Sequence, residues 1–446
     1  MTVPLTDTIN RTALLGVQDG TQPTIDAALT THATTGMAIV ADTTPMNLCG
    51  QAALCTAVAT AVRAFGQVTV VADGNTILTA GPHRGRTVAQ ILSSEGARLL
   101  DHPGGTPESW PTLHLGTSPP AAASNTIRLT ATWNGWAAHV QPADVPADVS
   151  CGDNVLAAIA AAALGVHEAF GAVRNRPGCD AGRRTITLNL WHPGDRTEGP
   201  GLTHAPSQWW LVGLGHLGQA NAWVLSWLPY PEPSDVQIVL QDTQHVVDAN
   251  HSTGLLTPAH PQPRRKTRLV AAALDILGYD TVIVERRLDT HTRVLNDDVH
   301  VALLGVDALE PRRLISSVGW KLAIDAGLGA GPTDFNAILL RRFPAETPSH
   351  QVPGWANDIP RPRNAASPAL ADLKQRDPCG TVRLANTAVG ASFVGAITAC
   401  LAVAQAIRAT LTTGTGFDVI NLHLQSDDID LAPPTLSTDV TAIRLI

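Results

Sequence analysis

The chain has 446 residues, enough for two or more domains of ordinary size with a substantial apolar core. A net charge of -8 and a pI near 6.0, with Arg and Lys scattered, exclude the basic footprint of a nucleic-acid or anionic-membrane binder. Six cysteines (Cys49, Cys55, Cys151, Cys179, Cys379 and Cys400) form no CxxC pair and no regular framework, which argues against a structural zinc site or a disulfide scaffold and for a reducing, cytoplasmic setting.

The N-terminus, MTVPLTDTINR, has no basic start followed by an apolar core, and the most apolar helical stretches are interrupted by Gly, Asn, Thr or His. Neither a signal peptide nor a membrane span is expected. Residues 1–36 are Thr-rich and weakly patterned, with Arg11 in NRTALLG their one basic residue. Met37–Ala41 then reads as a strand, Asn47–Phe65 as a helix and Val68–Val71 as a second strand, closed by Ala72-Asp73-Gly74, which is more like a turn than a ribose site. Residues 104–123 are rich in Gly, Pro and Ser and suggest a loop, and Thr126–Trp133 with Gly135–Val140 suggests a hairpin. A long Ala-rich helix follows Cys151, with Thr185–Trp191 as the strand after it.

His192 to Pro206 reads as a linker. Beyond it, the apolar run Trp209–Val212 leads into Gly213, Gly215 and Gly218, then a helical pattern, then a strand at Val236–Leu240 ending near Asp242. Glycines so placed let backbone N–H groups approach a phosphate on the positive end of a helix, and the acid is suited to a ribose hydroxyl. The same pattern is compatible with a tight turn that binds nothing. Farther on, Arg265–Leu277 reads as a helix, and Thr281–Glu285, Val299–Leu304 and Lys321–Ala326 read as strands. Residues 343–378 hold many prolines and little periodicity, and Cys379-Gly380 introduces a second long helix of small residues followed by the strand Asp418–Leu424.

Each half thus carries a strand-helix-strand unit and closes with Cys-Gly, a helix and a strand. The expected fold is α/β with two Rossmann-like units in tandem, residues 1–200 and 201–446, the first without a nucleotide site. Chance similarity between Ala-rich helices is the alternative.

From Trp209 to Leu424 the sequence resembles the ubiquitin-activating-enzyme-like (ThiF-type) adenylyltransferases, a family that includes the sulfur-carrier activating enzymes of thiamine and molybdopterin synthesis. The resemblance rests on the glycine turn, on Asp242, on Asn250 eight residues later, on Lys266 sixteen residues after that, on Asp307 with Arg312 five positions on, and on the small-residue helix Ala388–Arg408. It implies that Gly213, Gly215, Gly218, Asp242, Asn250, Lys266, Asp307 and Arg312 hold ATP, with Asp307 also a ligand of Mg2+. It implies that Arg11 reaches the site from the first half, and that the reaction adenylates the C-terminal glycine of a ubiquitin-like or sulfur-carrier protein. Cys379, just before a helix whose dipole favours a thiolate, then becomes the candidate for thioester transfer.

Taken singly, the residues have plainer readings: Lys266 in an exposed basic turn, Asp307 as a helix cap, Asn250 as a turn residue, Cys379 as a buried structural thiol. The sequence also departs from the family, with Gln244 where a second acid is expected and Thr253 where an arginine is expected. Both lobes in one chain, without zinc cysteines, suggest a compact bacterial ubiquitin-like conjugation system with a conjugating enzyme as further partner, by analogy one of antiviral defence. A nicotinamide-dependent oxidoreductase, or a non-catalytic scaffold for a ubiquitin-like protein, are the competing functions.

Overall fold

A computed structural model describes the chain except residues 1–6, 42–43, 45, 117–125, 147–150, 177, 296, 330–334, 357–388, 412–415, 427 and 439. The N-terminal segment forms two helices, α1 (Leu15–Gln18) and α2 (Ile25–Thr34), the second capped by the Thr24 side chain. Weak apolar patterning hides them in the sequence, since only Ala28 of α2 is buried.

The first sheet contains β1 (Gly36–Val40), β2 (Gln67–Val71), β3 (Arg98–Leu100), β4 (Thr112–Leu115), β5 (Arg128–Asn134), β6 (Ala137–Pro142) and β7 (Ile186–Asn189). Its order is β3-β2-β1-β4-β5-β6-β7, parallel as far as β5 and antiparallel beyond. The connecting helices are α3 (Leu48–Ala64), α4 (Val88–Glu95) and α5 (Val155–Arg174). Strand β4 corrects the expectation of a loop over 104–123. Its four residues lie between Gly/Pro-rich stretches and are too few to show a period, but all except Thr112 are buried.

Beyond β8 (His204–Pro206), the second sheet contains β9 (Gln208–Val212), β10 (Gln237–Gln241), β11 (Asp280–Val284), β12 (Val301–Leu304), β13 (Leu322–Leu328), β14 (Ala337–Phe343), β15 (Val419–His423) and β16 (Ile429–Ala432). The order is β11-β10-β9-β12-β13-β14-β15-β16, again parallel through the first five strands and antiparallel thereafter. Strand for strand, this repeats the first sheet and adds one edge strand. The helices here are α6 (His216–Leu225), α7 (Lys266–Asp275), α8 (Leu309–Val318) and α9 (Ser392–Leu411), and β17 (Ala442–Arg444) pairs with β8, so the expected linker is partly strand. Phe343 is the last residue of β14, so the proline-rich stretch begins one residue later than its composition suggests.

Helices α3 and α5 of the first unit pack on α6 and α9 of the second, forming a layer between the sheets. Their small residues let the backbones approach closely, and a continuous core runs from one sheet to the other. Helices α5 and α9 are long and apolar enough to cross a membrane, yet 94% and 83% of these stretches lie buried inside the protein. Polar bonds pin the layer: Trp223 Nε1 donates to Thr56 Oγ1 at 3.0 Å and Ser392 Oγ to the Thr60 carbonyl at 3.3 Å.

Candidate active site

In the second sheet the strand order reverses between β9 and β12, and the carboxyl ends of these strands open a crevice suited to a ligand. The turn from β9 to α6 is tight. Gly213 has φ +81, and a Cβ on Gly218 would lie 2.0 Å from the Gly213 carbonyl oxygen, so only glycine fits at position 218. Gly215 caps α6 and offers no side-chain hydrogen bond, which leaves the first-turn N–H groups of the helix open. Among the described residues, a Cβ there would meet only Lys266 Nζ, at 3.9 Å.

Asp242 closes the turn from β10. Its Oδ2 accepts the Leu214 N–H at 2.7 Å and its Oδ1 the Gln244 N–H at 2.6 Å, each oxygen keeping a further lone pair for a ligand hydroxyl. Lys266, first residue of α7, is 6% exposed and donates from Nζ to Gln244 Oε1 at 2.6 Å. Gln244, the departure from the expected acid, thus positions the lysine. Burial lowers the Lys266 pKa; the charges of Asp242 and Asp307 oppose that shift and Arg11 adds to it. Asp242, Asp307 and Arg11, from three other stretches of chain, thus lie close enough for their charges to act on Lys266 beside the glycine turn.

Asp307 is exposed just past the end of β12. Asn250 lies in a 3-10 turn, Asp248–Ser252, where its Oδ1 accepts the Val247 N–H at 3.0 Å. Arg11 is brought in by the same turn: its N–H donates to Ser252 Oγ at 3.0 Å and the neighbouring Thr12 hydroxyl to the Ser252 carbonyl at 3.3 Å. Arg312 is placed differently. Its Nε lies 3.2 Å from Asp325 Oδ1, its Nη2 donates to the Val306 and Ala326 carbonyls, and its guanidinium sits 5.7 Å from the Trp355 ring centre, so it is committed to β13 and is not among the charges acting on Lys266. Cys379 lies outside the described residues, as does most of the 343–378 stretch.

Residues 36–190 match the family profile of the BilD N-terminal domain and residues 205–413 that of the BilD C-terminal domain. A curated relative, the bacterial E1-like protein BilD of Collimonas sp. (strain OK412), is 37% identical over 335 residues, 71% of each chain. The chain belongs to the BilD family of bacterial E1-like proteins. Crystal structures of Escherichia coli MccB are also similar: TM-score 0.32 at 11% identity over 53% of this chain and 64% of that one, and TM-score 0.31 at 12% identity over 52% and 64% for the form with ATP. The chain spans less than two thirds of MccB, and a likeness this low bears on neither mechanism nor partner.

In this BilD-family chain the structure adds residues that the sequence reading does not single out. Arg63, fully buried in α3 of the first unit, donates to the carbonyls of Gly254 (3.1 Å), Leu255 (3.1 Å) and Thr257 (2.9 Å), and pairs with Glu95 at 3.2 Å. It clamps the loop that follows the Asn250 turn. From the other side buried Gln219 of α6 accepts from Leu256 N and Thr257 Oγ1 and donates to the Leu214 carbonyl, tying that loop back to the glycine turn. The loop carries Thr253, the second departure from the expected pattern.

His216, the first residue of α6, donates from Nε2 to the Ala391 carbonyl at 2.9 Å and fills a notch in which a Cβ on Gly390 or Gly395 would come within 2.2 or 2.3 Å of the ring. Burial pushes its pKa down to about 4, the hydrogen bond to Ala391 opposing, so the ring is neutral near pH 7. Gly390, just before α9, and Gly395, within it, are the sequence signal for this contact.

Proposed function

We propose that the second unit, residues 201–446, adenylates the C-terminal carboxylate of a small ubiquitin-like or sulfur-carrier protein, and that the first, residues 1–200, is an inert lobe that supplies Arg11 and supports the site through Arg63. The observation that carries this reading is the convergence of Lys266, Asp242, Asp307 and Arg11 on a glycine turn ending in an uncapped helix.

In the proposed reaction a carboxylate oxygen attacks the α-phosphorus of ATP, an acyl-phosphate bond forms, the bond to the bridging oxygen breaks, and pyrophosphate leaves. Two anions must meet, so the residues nearest them are cations. Lys266 faces the turn where the phosphates would lie, and Arg11 adds charge from the N-terminal segment. The open N–H groups at the start of α6 take phosphate oxygens, and Asp242 takes the ribose.

Asp307 fits Mg2+: it is an exposed carboxylate at a strand end, and magnesium takes one or two protein carboxylates with phosphate oxygens and water. The ion would neutralise phosphate charge. Among the described residues there is no cluster of three or more potential ligands, which fits an ion held jointly with the nucleotide.

On this reading the Cys379 thiolate then attacks the acyl carbon, AMP leaves, and a thioester passes to a conjugating enzyme. A cytoplasmic conjugation pathway, of the antiviral kind, is the setting we propose.

The deciding experiment is ATP–pyrophosphate exchange with small proteins ending in Gly-Gly. Exchange that requires such a protein supports adenylation. ATP binding without exchange would point to a scaffold, and nicotinamide fluorescence changes on titration to an oxidoreductase. Cys379→Ala is expected to keep the exchange and lose the thioester; an unchanged thioester would remove Cys379 from the mechanism.

A further inference from the structure

Among the described residues, the second sheet ends on a strand with one neighbour. Strand β11 pairs there only with β10, and its five residues, Asp-Thr-Val-Ile-Val, include neither proline nor lysine, the residues that usually blunt an exposed edge. Val282 is 38% and Ile283 40% exposed, and Ile276, at the adjoining end of α7, is 69% exposed. The other three edges of the two large sheets are shorter: β3 has three residues and starts at exposed Arg98, β7 has four, and β16 has four with exposed Asp430 in its middle.

The backbone shows which groups are on offer. The Asp280 N–H bonds to the Val236 carbonyl and the Val284 carbonyl to the Asp242 N–H, so Asp280, Val282 and Val284 face β10. By the alternation of a strand, the N–H and C=O groups of Thr281, Ile283 and Glu285 point away from the sheet. An antiparallel copy of this strand centred on Ile283 would pair Ile283 with itself and Thr281 with Glu285, bringing outward-facing groups together in the hydrogen-bonded positions.

The same register sets Val282 opposite Val284 and acidic Asp280 opposite exposed, basic Arg286 just past the strand. By symmetry each contact occurs twice. Charge, apolar contact and hydrogen-bonding phase agree on one self-complementary alignment.

We propose that β11 is an assembly edge at which a second copy of this chain adds its own β11, antiparallel about Ile283, to form a two-fold dimer with one continuous sheet. The contact lies outside the glycine turn, and its test reads mass rather than activity, so it stands or falls apart from the adenylation reading.

Sedimentation or light scattering on the full chain at micromolar concentration is expected to show twice the 46.7 kDa chain mass, falling toward the chain mass on dilution. Ile283→Asp, which sets two carboxylates against each other at the axis, is expected to give a monomer with unchanged circular dichroism. Asp280→Arg and Arg286→Asp, each placing like charges opposite twice, are expected to weaken the dimer about tenfold or more, and the double swap to restore it. A wild-type chain that stays monomeric, including one whose edge takes only another protein's strand, overturns the proposal. So does a double swap that fails to restore the dimer.

Discussion

The two strand-helix-strand units of this chain share strand order and direction, but the ends of their first long helices differ. In the first unit the start of α3 is closed by its own sequence: Asn47 Oδ1 accepts the Gly50 N–H at 3.0 Å. In the second, Gly215 leaves the start of α6 without a side-chain cap, beneath the Lys266 ammonium. The acids after the second strands differ likewise. Asp73 folds on itself, accepting from Asn75 N and Thr76 Oγ1 within its own turn, whereas Asp242 reaches across to the glycine turn at Leu214. One architecture thus yields a filled helix end and an open one, and the difference lies in a handful of residues at the strand ends.

The largest effect should come from removing the cation of the open unit. Lys266→Ala is expected to lower carrier-dependent pyrophosphate exchange by roughly 10²–10³-fold, the usual loss for one charge-stabilising donor. Next, Gly215→Asn would give α6 the cap that α3 has. Among the described residues, a Cβ there would meet only the lysine tip, at 3.9 Å. Nucleotide affinity is expected to fall by about tenfold or more while thermal stability holds or rises, since a good cap contributes about 1 kcal/mol. Loss of stability instead would mean that the turn is not an open cradle.

Arg11→Ala removes what the first unit is proposed to contribute and is expected to cut the exchange rate about tenfold with less change in the KM for ATP. A KM change alone would make Arg11 a binding residue. Asn47→Ala, in the closed unit, is expected to cost about 1 kcal/mol of stability and leave exchange unchanged.

The smallest effect concerns pH. His216 is held below its ordinary value of 6.5, at about 4, so the unfolded chain takes up a proton before the folded one. Its contribution to stability is intact above pH 6.5 and is lost as pH falls toward 4. The melting temperature of the wild type should therefore drop more steeply across that window than that of His216→Gln; equal slopes would mean that the ring titrates normally.

The open unit was legible in the sequence because its signals are local. An apolar run, three glycines and an acid sit within 34 residues of one another, Trp209 to Asp242, and the spacing to Lys266 and Asp307 carried the resemblance on. Arg63 was not legible. In the sequence it is the ordinary basic residue in the last turn of an Ala-rich helix, while the carbonyls it serves lie 191–194 residues away. Strand β4 escaped because four residues between Gly/Pro-rich stretches show no period, and Arg312, read as a phosphate ligand, is engaged by Asp325, whose strand KLAIDAG gives no hint of a buried ion pair.

The claim that only the second unit holds nucleotide is tested most directly by titrating ATP into the full chain by calorimetry, beside the Gly215→Asn variant. One ATP per chain, bound about tenfold or more weakly in that variant while its melting temperature is kept, is the expected result. Two per chain, or one whose affinity the substitution leaves unchanged, would place the nucleotide elsewhere and contradict the account.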